Sequence, residues 1–357
     1  MKIIITGGGT GGHIFSAISI ANALKCRYPD TEILFVGAKN RMEMHYVPVA
    51  GYKIVGLPIL GFNRKNLFQN IFVLWRLFNS LILARKIIED FNPNVAIGVG
   101  GYASAPILQV SAKKNIPILI QEQNSFAGMT NKFLAKKAKR ICVAYNGMER
   151  FFPKEKIVLT GNPIRQNLLI TDIKKSEGYV HFKLDHRKKT VLILGGSSGS
   201  KTINESIISS IKAIEKCDFQ LIWQYGQYLF SSIDTIPRNI CFTRFIFRMD
   251  LAYSIADLVV SRAGAGTISE LCLLGKPTIF VPSPNVTKNH QLKNAKVLLQ
   301  KDAAVVVLDK EAIKKLIPKV FELIKNSDKL HFLSKNILKM ALFDSANKIV
   351  DEIIDII

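Results

Sequence analysis

The run Lys2–Thr6, KIIIT, opens into TGGGTGGH, where five of the six residues from Gly7 to Gly12 are glycine. A β-branched run favours a strand. The segment after the glycines, HIFSAISIANAL, carries apolar residues at Ile14, Ala17, Ile18, Ala21 and Leu24, the spacing of one helical face. Strand, glycine turn and helix begin a doubly wound α/β sheet, and EILFVG (Glu32–Gly37) supplies the next strand. The device returns at KTVLILGGSSGSKTINESIISSI, Lys189–Ile211. A second pair of segments also corresponds: Asn94–Asn124 and Ala256–Asn285 each read strand, glycine turn, helix, strand and polar end.

Two Rossmann-like domains explain this recurrence, and 357 residues suffice for both. The boundary is expected near LTGNPIR, Leu159–Arg165, giving domains 1–161 and 162–340. Thr171–Lys189 reads as a polar loop. The terminal segment SANKIVDEIIDII places Ile349, Val350, Ile353, Ile354 and Ile357 on one face. Segment 341–357 is therefore expected to pack back on the first domain.

The formal charge of +22 calls for nucleic acid, anionic lipid or phosphorylated substrates as partners, or reflects lysine-rich composition. A nucleic-acid surface interleaves basic residues with aromatics. The basic clusters Ala135–Arg140 and His186–Lys189 lack them, so no nucleic-acid partner is expected. The five cysteines (Cys26, Cys142, Cys217, Cys241, Cys272) show no metal spacing. With no signal peptide evident, a reducing cytoplasm is the expected compartment.

The glycine loops admit several ligands. Gly7, Gly9 and Gly12 satisfy the dinucleotide fingerprint, but the second strand ends GAKNR, without the acid that holds a ribose. An NADP oxidoreductase stays open, since Lys39 or Arg41 could meet the extra phosphate. GGSSGSKT is a near miss for a P-loop, with Ser200 at the second glycine position. In SRAGAGTISEL (Ser261–Leu271), backbone amides at a helix start could hold a diphosphate without a metal. Glu270, read as first-turn, either complements the helix dipole or chelates two ribose hydroxyls. The chain has no D-x-D motif, so no metal or other cofactor is expected. His13, at the mouth of the first loop, is the candidate general base with Glu122 as backup; otherwise it caps the loop.

Together TGGGTGGH, GVGGYAS, QEQN, GNPIR, GGSSGS, SRAGAGTISE and NHQLKNA resemble, in order from Thr6 to Ala295, the MurG family of N-acetylglucosaminyltransferases of bacterial peptidoglycan synthesis. The resemblance implies a GT-B fold, two Rossmann-like domains facing across a cleft. It implies inverting transfer of GlcNAc from UDP-GlcNAc to the C4 hydroxyl of MurNAc in lipid I, forming lipid II. A non-catalytic nucleotide-sugar-binding relative would keep the same loops. Carried over by motif, the donor contacts are Thr10, Gly11, Gly12, Asn124, Arg165, Ser197, Ile246, Ala265, Gly266, Thr267, Ile268, Ser269, Glu270 and Gln291. From the residues alone, Asn124 could instead close its turn, Arg165 could be a linker residue, and Tyr102 reads as packing. The family usually has leucine at Gly266 and a glutamine pair at His290–Gln291, so donor affinity is what these departures would alter.

The family is peripheral to the cytoplasmic face of the bacterial inner membrane, where other cell-wall synthesis proteins are expected partners. Here Asn66–Ile88 is apolar apart from a stripe of Gln69, Arg76 and Ser80, with no uninterrupted run near the ~20 residues of a span. Leu67, Phe68, Ile71, Phe72 and Trp75, after Arg64 and Lys65, read as a wedge for anionic lipid, assisted by the lysines of Ala135–Arg140. The same helix could instead be buried core, above all in its C-terminal half.

Overall fold

Among the described residues every strand pair is parallel, and both sheets follow one winding rule. The computed structural model describes residues 1–61, 69–164, 168, 175–196, 198–228, 236–286 and 289–357, without the side chains of 69–71. It divides into two compact units, Met1–Arg165 with Phe343–Ile357, and Gln166–Leu342.

The first unit holds β1 (Lys2–Thr6), α1 (Gly11–Arg27), β2 (Glu32–Ala38), α2 (Glu43–Val49), β3 (Lys53–Leu57), α3 (Gln69–Phe91), β4 (Val95–Gly98), α4 (Ser104–Lys113), β5 (Ile118–Glu122), α5 (Met129–Leu134), β6 (Arg140–Val143) and β7 (Ile157–Leu159). Its sheet order is β3-β2-β1-β4-β5-β6-β7. Successive side chains of a strand point to opposite faces, and helices cover both. Ile4 and Ala96 therefore join a core with Ile107, Leu108 and Ile88, on the side of α3 and α4. Ile3, Ile5 and Ile97 join a second core with Ile14, Ala17 and Leu24 of α1.

The second unit runs α6 (Lys175–Phe182), β8 (Lys189–Leu194), α7 (Lys201–Ile208), α8 (Ile211–Glu215), β9 (Phe219–Gln224), β10 (Ile240–Thr243), α9 (Met249–Ile255), β11 (Leu258–Ser261), α10 (Ala265–Leu273), β12 (Thr278–Phe280), α11 (His290–Leu299), β13 (Val305–Val306), α12 (Ala312–Lys325) and α13 (Ser327–Leu338). Its order is β10-β9-β8-β11-β12-β13. The last helix, α14 (Ser345–Ile354), returns to the first unit. There Ile349, Val350 and Ile353 are buried against the α1 core, while Ile357 is exposed. Ion pairs Arg27–Asp351, Arg140–Glu352 and Arg140–Asp355 fix its register.

Two expectations need correction. The stretch Thr171–Lys189 is not wholly loop: α6 occupies Lys175–Phe182, with Gly178 and Phe182 buried. Gly178 lies so close to α9 that a Cβ there would sit 2.8 Å from Ile255 Cγ2, which a polarity count along the chain does not register. Ser80, assigned to a polar stripe, is buried and donates to the Arg76 carbonyl at 2.7 Å. A back-bonded serine satisfies itself within its own helix and can enter a core.

Candidate functional site

In an open α/β sheet, ligands bind at the carboxyl ends of the strands, where the winding reverses. In the first unit that point lies between β1 and β4. Gly7–Thr10 leaves β1 there and the loop Val99–Ala103 leaves β4. His13 stands in the first turn of α1, and its Nδ1 lies 3.1 Å from the Gly8 carbonyl and 3.0 Å from Thr10 Oγ1. A carbonyl oxygen can only accept, so the Gly8 contact favours the tautomer with the proton on Nδ1, in which Nε2 is the basic nitrogen. The Nε2 edge lies under Gly100, where a Cβ would sit 2.9 Å from it. Gly100 also has φ of 100°, so the position needs glycine for two reasons.

Glu122 ends β5, buried, and among the described residues its carboxylate receives donors from Asn124, Gly128 and Asn131. Asn124 N–H (3.1 Å) and Asn124 Nδ2 (3.3 Å) bond Oε1, and Gly128 N–H (2.9 Å) and Asn131 Nδ2 (2.8 Å) bond Oε2. A carboxylate so occupied organises its loop, Asn124 included. Thr10, Gly11 and Gly12 form the N-cap and first turn of α1, whose leading amides have no intrahelical acceptor.

In the second unit the reversal lies between β8 and β11. α10 starts directly after it, so Ala265, Gly266 and Thr267 present first-turn amides and the positive end of the helix dipole. Ile268 and Ser269 follow. Glu270 is the sixth residue of α10, beyond the first turn where it was expected, so complementing the dipole does not account for it. It is buried and accepts the Tyr253 hydroxyl at 3.0 Å. Ile246 is buried with its amide donated to Gln224 Oε1 at 2.9 Å, and Gln224 Nε2 in turn donates to the Gly196 carbonyl at 3.1 Å. Gln291, on α11, accepts Ser283 N–H at 2.8 Å through Oε1, so its acceptor end is committed to the backbone. Nothing lies within 4 Å of where a Gly266 Cβ would be. Arg165, Ser197, Leu67 and Phe68 lie outside the described residues, as does the Ile71 side chain.

Sequence reasoning missed Glu43, Gly100, Gln224 and Tyr253. Glu43 is 1% exposed and accepts Gly9 N–H (3.1 Å) and Ala38 N–H (3.0 Å). Each acts on a partner distant in sequence, and no local motif marks it. The crowding of glycines Gly8 and Gly37 around one carboxylate is the single trace in the chain, and it needs coordinates to be seen.

On α3, Phe72, Leu74, Trp75, Phe78 and Ile82 are exposed, and so are Met129 and Phe133 of α5. The C-terminal half of α3 turns Ala84, Ile87 and Ile88 into the core. Among the described residues, no helix is long and apolar enough to cross a membrane.

Residues 3–143 match the glycosyltransferase family 28 N-terminal domain and residues 190–349 its C-terminal domain. Over 361 residues the chain is 56% identical to the UDP-N-acetylglucosamine–N-acetylmuramyl-(pentapeptide) pyrophosphoryl-undecaprenol N-acetylglucosamine transferase of Parabacteroides distasonis, covering 100% of this chain and 98% of that one. The protein of the same name from Flavobacterium psychrophilum is 48% identical, with 100% and 98% covered. Among solved structures, MurG of Acinetobacter baumannii matches with a TM-score of 0.76 at 24% identity over 99% of both chains. A UDP-GlcNAc 2-epimerase from Neisseria meningitidis bound to UDP-GlcNAc matches with 0.68 at 16% identity, over 99% of this chain and 100% of that one. At those identities the structures speak for the fold alone, which is GT-B in class, built of two Rossmann-like domains. An NADP oxidoreductase is not favoured by any of these relatives. With both domain models matched and full-length identity above half, the chain belongs to glycosyltransferase family 28, among its MurG transferases.

Proposed function

We propose that this chain transfers N-acetylglucosamine from UDP-GlcNAc to the C4 hydroxyl of MurNAc in lipid I, with inversion, giving lipid II and UDP. The observation that carries the activity is the 56% identity, over 100% of the chain, to a relative named for this transfer. In the proposed reaction the second unit holds the donor. Glu270 takes the ribose hydroxyls, the first-turn amides of α10 take the diphosphate, and the Gln291 NH2 end meets the sugar. The acceptor oxygen bonds to the anomeric carbon as its proton passes to His13 Nε2. The bond from that carbon to the diphosphate oxygen breaks, and UDP leaves with the electron pair. Charge gathering on the leaving diphosphate is met by helix-end amides, so the site chemistry calls for no metal.

The Nδ1–H tautomer of His13 supports this role, because the base nitrogen is set before substrate arrives. A positioned base contributes typically 10²–10⁴-fold. His13→Ala should therefore lower kcat by about that range with an unchanged KM for UDP-GlcNAc, measured as transfer to a short-chain lipid I analogue. The acidic limb of the kcat–pH profile should flatten as well. Near-normal kcat with collapsed donor affinity would make His13 a phosphate ligand, and consumption of UDP-GlcNAc without glycosyl transfer would overturn the function itself.

The same reading makes the chain a peripheral protein at the cytoplasmic face of the inner membrane, where lipid I is met. Exposed aromatics of α3 support it, as does the charge of +22. Arg140 does not join the basic surface, since it is paired to α14. Lys136, Lys137 and Lys139 are exposed.

A further inference from the structure

The carboxylate of Glu43 and the imidazole of His13 grip one peptide group from its two sides. The Gly9 N–H donates to Glu43 Oε2 at 3.1 Å, and the Gly8 carbonyl of the same peptide accepts His13 Nδ1–H at 3.1 Å. The peptide is trans, so its N–H and C=O point in opposite directions. Glu43 is held from its other oxygen by Ala38 N–H at 3.0 Å. It is also walled in by glycines: a Cβ on Gly8 would overlap its Oε1, and one on Gly37 would stand 2.6 Å from its Cγ. No arginine or lysine shares an ion pair with it among the described residues. A buried carboxylate that spends itself on two backbone amides under a glycine loop has a cost to justify.

We propose that Glu43 is a positioning residue for His13, acting through the Gly8–Gly9 peptide as a carboxylate acts on the histidine of a catalytic triad. The proposal rests on the reading of His13 as the base. Hydrogen bonds in a chain polarise one another. The carboxylate draws the Gly9 proton, the Gly8 oxygen becomes more negative, and its hold on Nδ1–H tightens. The outcome is a locked ring, a fixed tautomer and a more basic Nε2, the three services a carboxylate partner gives a histidine. On the Nε2 edge a Gly100 Cβ would border both His13 and Asn131, and Asn131 Nδ2 donates to Glu122 Oε2 at 2.8 Å, which links the carboxylate of Glu122 to that edge. Tyr102, of the loop after β4, lies near Gly9, where a Cβ would be 3.9 Å from its ring. Glu43 thus reaches Nδ1 through the peptide, while Glu122 is linked to the opposite edge only through Asn131.

The arrangement also gives an account of the first glycine loop. The Gly9 amide is turned inward to a carboxylate and serves the histidine mount, and the Gly7 amide bonds the Val36 carbonyl of β2, so both are committed within the protein and not to an anion.

The test is the Glu43→Gln variant of the full chain, read by imidazole nitrogen NMR and by the pH dependence of kcat. In the wild type, neutral His13 should carry its proton on Nδ1. In Glu43→Gln the ring should titrate lower by roughly half a unit to one unit, with a mixed tautomer. The acidic limb of the kcat profile should move with it, kcat should fall on the order of 10-fold, and KM for UDP-GlcNAc should hold. A purely structural Glu43 predicts otherwise: a lower Tm with ring titration, tautomer and acidic limb unchanged, which would overturn the proposal. Should the variant fail to fold, the wild-type spectrum still decides, because an Nε2–H tautomer there is incompatible with the relay. The NMR readout is independent of turnover, so a failed base assignment (normal kcat in His13→Ala) and a failed relay are distinct results.

Discussion

Glu270 has one duty in the structure and a second in the proposed reaction, and they can be separated. Its carboxylate accepts the buried Tyr253 hydroxyl, and in the proposed reaction it also meets the ribose. Charge-assisted hydrogen bonds contribute roughly 1.5–3 kcal/mol each. Glu270→Ala should raise the KM for UDP-GlcNAc by at least tenfold while acceptor KM holds, and should lower Tm because Tyr253 loses an acceptor. Tyr253→Phe should lower Tm modestly with much smaller change in donor affinity. Equal donor defects in both variants would make Glu270 a structural residue. Lys276 provides a pH prediction. Burial, reinforced by Lys175 and opposed by Asp257, lowers its ammonium to about 8, and its Nζ donates to the Ala256 carbonyl. The unfolded chain titrates near the ordinary ~10.4, so between these values it binds more protons than the folded one. Stability contributed by this group should therefore rise from about pH 8 to pH 10, by up to roughly 3 kcal/mol. Denaturant midpoints of wild type and Lys276→Met should diverge over that window, and parallel curves would refute the assignment.

At the level of elements, α10 and α3 are each built against a local preference. α10 holds Gly266 in its first turn with open space where a side chain would be. Glycine costs a helix about 0.5–1 kcal/mol relative to alanine. Gly266→Leu should raise Tm by a few degrees and lower, or leave unchanged, the KM for UDP-GlcNAc; a loss of stability would show that the space is filled. α3 exposes Trp75 (60%) and Phe78 (62%), which no fold requirement explains. Trp75→Ser with Phe78→Ser should leave the unfolding free energy within about 1 kcal/mol of the wild type. Sedimentation with phosphatidylglycerol vesicles should fall several-fold, and wild-type binding should weaken with salt. Retained binding in the double variant would locate the membrane contact elsewhere.

At the scale of the molecule, the chain leaves its first unit after Arg165 and re-enters it at Phe343. The closing helix α14 covers Ile14, Ala17 and Leu24 with Ile349, Val350 and Ile353. Removing residues 345–357 strips that cover, at about 1.5–3 kcal/mol for each large aliphatic side chain lost from burial. Calorimetry should then show one unit unfolding early while UDP-GlcNAc still stabilises the other, since ligand protection belongs to the unit that binds. A single unchanged transition would mean that α14 contributes little to the first unit.

Much of this molecule was present in one dimension. β-branched runs, glycine turns and helical spacing are local properties, so the two recurrent halves and their parallel, doubly wound class were legible from Lys2, Lys189 and the glycines after them. The position of His13 was legible too, as the histidine that follows the first glycine turn and opens the next helix. What the sequence could not carry was every relation between distant residues. Ser80 looks polar until its own helix satisfies it, and Glu270 looks like a cap until the helix start is located at Ala265. Glu43 stands 34 positions from the amide it holds, and Gly8 and Gly37 are glycines because of it. Local propensity selects the elements; which buried charge meets which peptide is decided by packing, and packing exists only once the chain has closed on itself.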